Sequence, residues 1–208
     1  VNDVPMTLIG RPTLPASNYA ELIKWIEANK GKINLANAGL GAASHLCGLL
    51  FQQSVKVDMT TVPYKGTGPA MTDLLGGQVD IMCDQTTNTS SQIEAGKVKA
   101  FAVTTTKRLT TPALAKLPTL DESGLKGFNV SIWHGMYAPK GTPKAVVDKL
   151  NAALRAGLKD ADFIKKQEAL GAVVVTDGRL APAEHKAFVT AEIAKWGPAI
   201  KAAGQYAD

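Results

Sequence analysis

The stretch Asn37-Ala-Gly-Leu-Gly-Ala-Ala-Ser-His45 decides the fold, because it joins a strand-like run to a helix-like run. Residues 32–36 read as the strand, and residues 46–51 read as the first part of the helix. Two glycines and several small side chains leave the backbone bare where the helix is predicted to begin. A helix N-terminus presents unpaired N–H groups and a partial positive charge, which attract anions. We therefore predict that this turn binds a carboxylate.

The composition is that of an ordinary globular protein. Of the 208 residues, 45% are hydrophobic and 20% are charged, which is enough to bury a core. The net charge of +5 is spread along the chain and only 6% of the residues are aromatic, so nucleic-acid binding is disfavoured. No run approaches the roughly 20 apolar residues that span a membrane.

The two cysteines, Cys47 and Cys83, lack the spacing of a metal site or of a redox motif. Both lie in apolar stretches, so we predict that they are small buried hydrophobic residues. As such they neither require nor exclude an oxidising compartment.

Strand-like and helix-like runs alternate through the first 104 residues. This alternation, with short loops between the runs, is typical of a parallel α/β sheet. Ligands of such sheets bind beyond the carboxyl ends of the strands. Residues 38–44, 64–68 and 84–86 each follow a predicted strand. We therefore expect these three stretches to meet at one edge of the sheet.

The second part of the chain has a different pattern. A loop-rich segment at 107–129 is followed by only two predicted strands, at 130–138 and 172–176. The helix that begins after Thr142 and Pro143 is predicted to bury a stripe of Val147, Leu150, Leu154 and Leu158. Two strands are too few for a good sheet, so this part is predicted to be incomplete. Either a partner supplies the rest, or an upstream segment has been left out.

Several motifs resemble one known family. Residues 62–80, Val-Pro-Tyr-Lys-Gly-Thr-Gly-Pro-Ala-Met-Thr-Asp-Leu-Leu-Gly-Gly-Gln-Val-Asp, are similar to the signature of the tripartite tricarboxylate transporter receptors, also called Bug proteins. The similarity continues at residues 93–104, 117–120, 138–143 and 191–196. These receptors are extracytoplasmic solute-binding proteins.

The resemblance implies a two-lobed α/β fold like that of type II periplasmic binding proteins. It implies one complete lobe at residues 6–129, and at residues 130–208 a hinge strand with the carboxy-terminal remnant of the other lobe. The family's amino-terminal part is absent. A periplasmic monomer with a signal peptide upstream, no cofactor and no nucleic-acid partner is expected. A small and a large integral membrane subunit are the implied protein partners.

Family ligands are small carboxylates: dicarboxylates, tricarboxylates, acidic amino acids and aromatic acids. The opening turn resembles the family's Ser-Ala-Gly-x-Gly-Thr-x-x-His stretch, with Asn37 in place of serine and Ala42 in place of threonine or serine. Together with the other two strand ends, this resemblance predicts a set of ligand-binding residues and no metal site. The set is Ala38, Gly39, Gly41, Ala42, Ala43, Ser44, His45, Tyr64, Lys65, Gly66, Asp84 and Gln85.

Other interpretations of these residues remain open. Gly39 and Gly41 also suit a tight turn without a ligand, while His45 and Asp84 also suit structural roles. An enzyme is disfavoured, since the sequence has no Gly-x-Ser-x-Gly elbow, no phosphate-binding loop and no metal-spaced histidines. The effector-sensing domain of a regulator is an alternative that shares this lobe architecture, although no DNA-binding segment is seen.

Overall fold

The computed structural model describes residues 1–203, apart from the side chains of residues 199, 202 and 203. Strands and helices follow one another in the predicted order. The strands are β1 (Asn2–Gly10), β2 (Asn34–Asn37), β3 (Thr60–Pro63), β4 (Ile81–Gln85), β5 (Lys99–Val103), β6 (Ser131–His134) and β7 (Val173–Val174). The helices are α1 (Tyr19–Ala28), α2 (Ala43–Val55), α3 (Thr67–Leu75), α4 (Thr86–Glu94), α5 (Lys144–Gly157), α6 (Ala161–Ala169) and α7 (Pro182–Ala203).

The main sheet has the strand order β3-β2-β4-β1-β5. Strands β2, β3 and β4 are parallel, as predicted, but β1 runs antiparallel to both β4 and β5. The expectation of an all-parallel sheet was therefore wrong. Strand spacing along the chain did not reveal this, because β1 reaches the sheet from the opposite direction, where it pairs first with β6 and β7.

The two ends of strand β1 pair with different sets of strands. Its first residues, Asn2 to Pro5, pair with β6, and Asn2 and Asp3 also pair with β7. From Met6 onward it pairs with β4 and β5. The chain is thus one complete α/β lobe joined through β1 to part of a second. The proposed division at residues 6–129 and 130–208 stays a prediction, and residues 204–208 lie outside the described range.

A buried threonine, Thr104, binds the chain segments that cross from one lobe to the other; we call this place the crossing. The Met6 N–H donates to Thr104 Oγ1 at 3.0 Å, and Thr104 Oγ1 donates to the Val130 carbonyl at 2.6 Å. Backbone bonds join Thr104 N–H to the Met6 carbonyl and Val130 N–H to the Thr104 carbonyl. Thr104 is fully buried. One side chain therefore fastens three chain segments at the point where they pass between the lobes.

Two apolar clusters cover the faces of the main sheet. One packs α1 and α2 on the sheet around Leu8, Phe51 and Phe101. The other packs α3 around Ile9 and Met82. The helices of a covered sheet position the loops at its edge, so these clusters determine where the strand ends lie.

Cys47 and Cys83 form a disulfide inside the first cluster. They are buried, as predicted, but the expectation of two unpaired hydrophobic side chains was wrong. The residues are 36 positions apart in the sequence and meet because α2 packs across β4. No short sequence motif predicts this pairing.

The predicted buried stripe of α5 is only partly buried, with Val147 and Leu154 half-buried. Leu150 is 42% exposed, and only Leu158, at 4%, is buried. The apolar face of α5 lines a groove of about 420 Å³ against α7. The periodicity was correctly read as an apolar face, but the described residues do not cover it. No helix among them is both long and apolar enough to cross a bilayer.

Candidate functional site

The carboxyl ends of β2, β3 and β4 meet at one edge, as the sequence predicted. Beyond β3, the Tyr64 N–H donates to the Asn37 carbonyl and the Gly66 N–H donates to the Ala38 carbonyl, both at 3.0 Å. Beyond β4, the Asn88 side-chain amide donates to Thr67 Oγ1 at 3.3 Å. The residues after the three parallel strands therefore form one continuous surface, which we call the cleft edge.

Backbone amides of the turn between β2 and α2 are already used within the turn. The Ala38 N–H donates to Ser44 Oγ at 2.8 Å, and the Gly39 N–H donates to Asn37 Oδ1 at 2.9 Å. The Gly41 N–H donates to His45 Nδ1 at 3.1 Å. The glycine amides are thus structural donors. The bare backbone predicted from the sequence shapes the turn and does not itself leave Gly39 or Gly41 free to bind an anion.

The unused donors lie one step further along, at the start of α2. Its N-cap residue, Ala42, makes no side-chain hydrogen bond to the helix. Among the described residues the amides of Ala43 and Ser44 have no hydrogen-bond partner. The first amides of a helix have no intrahelical acceptor, so they bind capping groups, water or a ligand. These two amides are therefore the donors at this turn that remain available to an anion.

Gly39 is needed for the close approach of the turn to β3. Its φ of +128° is a conformation that residues with a side chain rarely adopt. A Cβ at this position would lie 3.1 Å from the Tyr64 carbonyl oxygen. The requirement for glycine is therefore both conformational and steric, and it is independent of any ligand.

Ser44 and His45 support the turn from inside. Both are buried, and both accept hydrogen bonds from turn amides through their side chains. Their side chains thereby set the shape of the turn. This placement matches the structural alternative for His45 more closely than direct ligand contact.

Two more helices begin at the cleft edge without a side-chain cap. Helix α3 has Gly66 at its N-cap and α4 has Gln85, and neither makes a capping side-chain bond. Gly66 takes φ +103°, which glycine adopts at little cost. Together with α2, three uncapped helix N-termini follow three adjacent parallel strands. Each carries a partial positive charge, so the cleft edge favours anions.

Tyr64 and Lys65 occupy the end of β3. The Tyr64 hydroxyl donates to Asp73 Oδ2 at 2.7 Å, and desolvation together with this carboxylate raises the pKa of Tyr64 to about 12. Its hydroxyl is thus directed back toward α3. Lys65 is exposed beside it, with no ion pair among the described side chains. Lys65 therefore presents a positive charge at this edge that is not neutralised by a described side chain.

Asp84 lies beneath the cleft edge. Only 1% of it is exposed; one oxygen accepts from the Gln85 N–H at 2.8 Å, and Oδ2 has no partner among the described residues. Burial raises the pKa of the Asp84 carboxyl, while the Gln85 N–H bond and the nearby polar side chains of Thr67 and Asn88 act to lower it. A ligand would reach Asp84 only if the edge opened.

We expect Asp84→Asn to stabilise the protein at neutral pH. A raised pKa means that the folded state favours the protonated acid. The stability of the folded protein is therefore unaffected by this carboxyl below the ordinary Asp pKa, and it falls as the pH rises and the buried carboxyl loses its proton. The amide imitates the protonated form. Denaturant unfolding at pH 7.5 should show a gain of about 1 kcal/mol, which shrinks toward pH 4. Asp58→Asn, at an exposed carboxyl, controls for the lost charge; an equal gain there would contradict the explanation.

Some polar residues of this edge were missed from the sequence. Thr67 and Asn88 join α3 to α4, while Asn37 Nδ2 and Thr86 Oγ1 are buried without partners among the described residues. A polar residue at the last position of a buried strand, such as Asn37, was the available signal. Within residues 1–203, no group of three histidine, cysteine or acidic side chains is arranged to hold a metal.

The lobe, its mixed sheet and its anion-favouring edge define a solute-binding protein of the periplasmic type. Residues 1–205 match the family described as Tripartite tricarboxylate transporter family receptor, and the chain belongs to that family. Proteins of this family are periplasmic solute receptors and not enzymes, which agrees with the absence of catalytic motifs from the sequence.

Known relatives align with nearly the whole length of this chain. An Agrobacterium vitis protein, described as UPF0065 protein in the TAR-I ttuE-ttuC' intergenic region, is 43% identical over 205 residues, covering 99% of this chain and 59% of its own length. The structure of the periplasmic binding protein BugD is 55% identical, with a TM-score of 0.92 over 98% of this chain and 67% of that one. MatC from Rhodopseudomonas palustris, solved with bound malate, is 38% identical, with a TM-score of 0.88 over 96% of this chain and 67% of its own. The chain thus spans about 59% of the length of this curated relative.

Proposed function

We propose that the natural full-length protein captures a small carboxylate between two lobes in the periplasm. It then delivers the ligand, as a monomer, to the integral membrane subunits of a tripartite tricarboxylate-type transporter. The observation that carries this proposal is the convergence of three uncapped helix N-termini on the cleft edge. A ligand with negatively charged oxygens complements these helix ends. Malate bound to MatC supports the ligand class.

Within this proposal the predicted residues divide by role. The amides of Ala43 and Ser44, next to Ala42, bind one carboxylate group. Lys65, with Gly66 and Gln85 at the starts of α3 and α4, provides the neighbouring wall. The other predicted residues shape or support these donors. They are Ala38, Gly39, Gly41, His45, Tyr64 and Asp84.

These contacts alone are too weak to bind the ligand, so a second wall is required. A hydrogen bond to a charged group contributes about 1.5–3 kcal/mol, and a helix end adds about 0.3–1 kcal/mol. Association costs about 4–15 kcal/mol, whereas micromolar binding needs about −8 kcal/mol net. The hydrogen bonds from one edge therefore exceed the cost of association by too little to give micromolar binding. An opposing lobe that closes over the ligand and excludes water supplies the rest.

The disulfide supports the proposed location. Disulfides persist in the bacterial periplasm and are rare in the cytosol. The Cys47–Cys83 bond links two elements of the core, and an oxidising compartment is where such a bond forms and persists.

A thermal-shift screen of the full-length protein, followed by calorimetric titration, tests the function. We expect malate or another small di- or tricarboxylate, acidic amino acid or aromatic acid to raise the unfolding temperature. A ligand at about 100 times its Kd stabilises the folded state by about 2.7 kcal/mol. The diamide of the same ligand has the same skeleton without the charges and should give no shift. A protein that responds to none of these acids, or equally to acid and diamide, would refute the proposal.

A further inference from the structure

The Cys47–Cys83 disulfide joins two of the segments that form the cleft edge. Cys47 lies one helical turn after Ala43, where α2 begins, and Cys83 immediately precedes Asp84 in β4. The two Cα atoms are 6.0 Å apart, and neither side chain is more than 1% exposed. Thiol exchange requires access to a sulfur atom. In the folded protein this bond is therefore a permanent link and not a redox switch.

No capping side chain holds the start of α2, although the side chains of Ser44 and His45 tie it to the preceding turn by accepting from the Ala38 and Gly41 amides. Ala42 provides no cap, and the first turn of the helix contains no acidic residue. The Ser44 hydroxyl accepts from the Ala38 N–H and so serves the turn. Helix starts without a capping side chain are less stable than capped ones. Order at the start of α2 then comes from these bonds, from packing and from the disulfide, and the disulfide is its covalent link to β4.

The other end of the bond lies in β4, the central strand of the main sheet. Cys83 pairs with Leu8 of β1, and β4 is flanked by β1 and β2. On the helix side, Gly48 lies so close to β2 that a Cβ there would be 2.9 Å from the Leu35 side chain. Close packing and the covalent bond thus fasten the first two turns of α2 to the adjacent strands β2 and β4.

We propose that the Cys47–Cys83 disulfide is a positioning element of the carboxylate site. It holds the uncapped start of α2 in place against the ends of β2 and β4, so that the Ala43 and Ser44 amides are ordered before the ligand arrives. This inference rests on the proposed function. Donors that are already ordered lose less conformational freedom on binding, which raises affinity. A side-chain cap would also order the helix start, but it would occupy amides that the ligand needs.

The test compares the full-length protein with its Cys47→Ala/Cys83→Ala variant, by amide hydrogen exchange and by titration with malate. In the variant, exchange at residues 38–45 should rise about tenfold relative to β1 and β4. The Kd for malate should rise about fivefold, a loss of the size that a missing helix cap causes. Ile26→Val, which removes one buried carbon from α1 away from the cleft edge, is the control for lowered stability. It should change neither measurement.

Unchanged exchange at residues 38–45, or unchanged affinity despite faster exchange, overturns the proposal and makes the bond a stabiliser of the core only. If malate does not bind, the acid found in the ligand screen replaces it. If no acid binds, the proposed function fails, while the exchange data still decide whether the bond orders the turn. Should the alanine pair not fold, Cys47→Ala/Cys83→Val, which refills part of the lost volume, is measured in the same way.

Discussion

Gly41→Asp is expected to weaken malate binding by the full-length protein about 100-fold. The new carboxylate would lie two residues before Ala43, beside the amides that we propose to bind the ligand. Two like charges about 5 Å apart repel by about 3 kcal/mol at an effective dielectric constant of about 20, which corresponds to about 100-fold in Kd. Isothermal titration calorimetry measures this change directly. Because an acid near a helix N-terminus is favourable, the variant should not lose stability through its charge.

The matched control is Gly41→Asn. Residue 41 has φ +78°, a conformation that asparagine and aspartate tolerate better than most residues, so both variants carry similar backbone strain. Asparagine adds no charge and should weaken binding only a few-fold. Equal losses in the two variants would attribute the effect to the shape of the turn. Full affinity in the aspartate variant would show that the ligand does not bind at the start of α2.

Thr104→Val should lower the free energy of unfolding by about 2–4 kcal/mol, although the two side chains have nearly the same shape. The Met6 N–H and the Val130 carbonyl lose their partner at a fully buried position. Each buried polar group left without a partner costs about 1–3 kcal/mol. The unfolding temperature should fall by roughly 5–15 °C. Denaturant unfolding and calorimetry of the full-length protein measure both quantities.

Thr104→Ser separates the hydroxyl from the methyl group. Serine keeps the donor and the acceptor and loses one buried methyl group, which costs about 1 kcal/mol. A serine variant as unstable as the valine variant would mean that packing at the crossing matters more than its hydrogen bonds. A stable valine variant would show that water replaces the hydroxyl, and that the crossing does not depend on this side chain.

Much of the lobe was predictable from local patterns. The alternation of strands and helices placed β2, β3 and β4, and the rule for parallel strands placed residues 38–44, 64–68 and 84–86 at one edge. These predictions succeeded because periodicity and turn chemistry are properties of short segments. The family resemblance then supplied the two-lobed architecture, which periodicity did not indicate.

Other features depended on contacts between distant segments. The antiparallel direction of β1, the pairing of Cys47 with Cys83 and the exposure of Leu150 each involve elements that are far apart in the sequence. Asp84 was predicted as a ligand residue at a strand end, but its depth below the cleft edge depends on how α3 and α4 pack above it. Burial is a property of the assembled lobe, so a residue type and its position in a strand do not determine it.

The opening turn shows the same division within nine residues. The sequence alone determined that a turn with two glycines and no capping hydroxyl at Ala42 joins β2 to α2, because small residues and a missing cap are local facts. Only the tertiary structure decided which amides are available. Ser44, His45 and Asn37 fold back onto the amides of Ala38, Gly41 and Gly39, while Ala43 and Ser44 keep theirs open. Hydrogen-bond partners are determined by three-dimensional geometry, and this is why we propose the anion site at the helix start and not at the glycines.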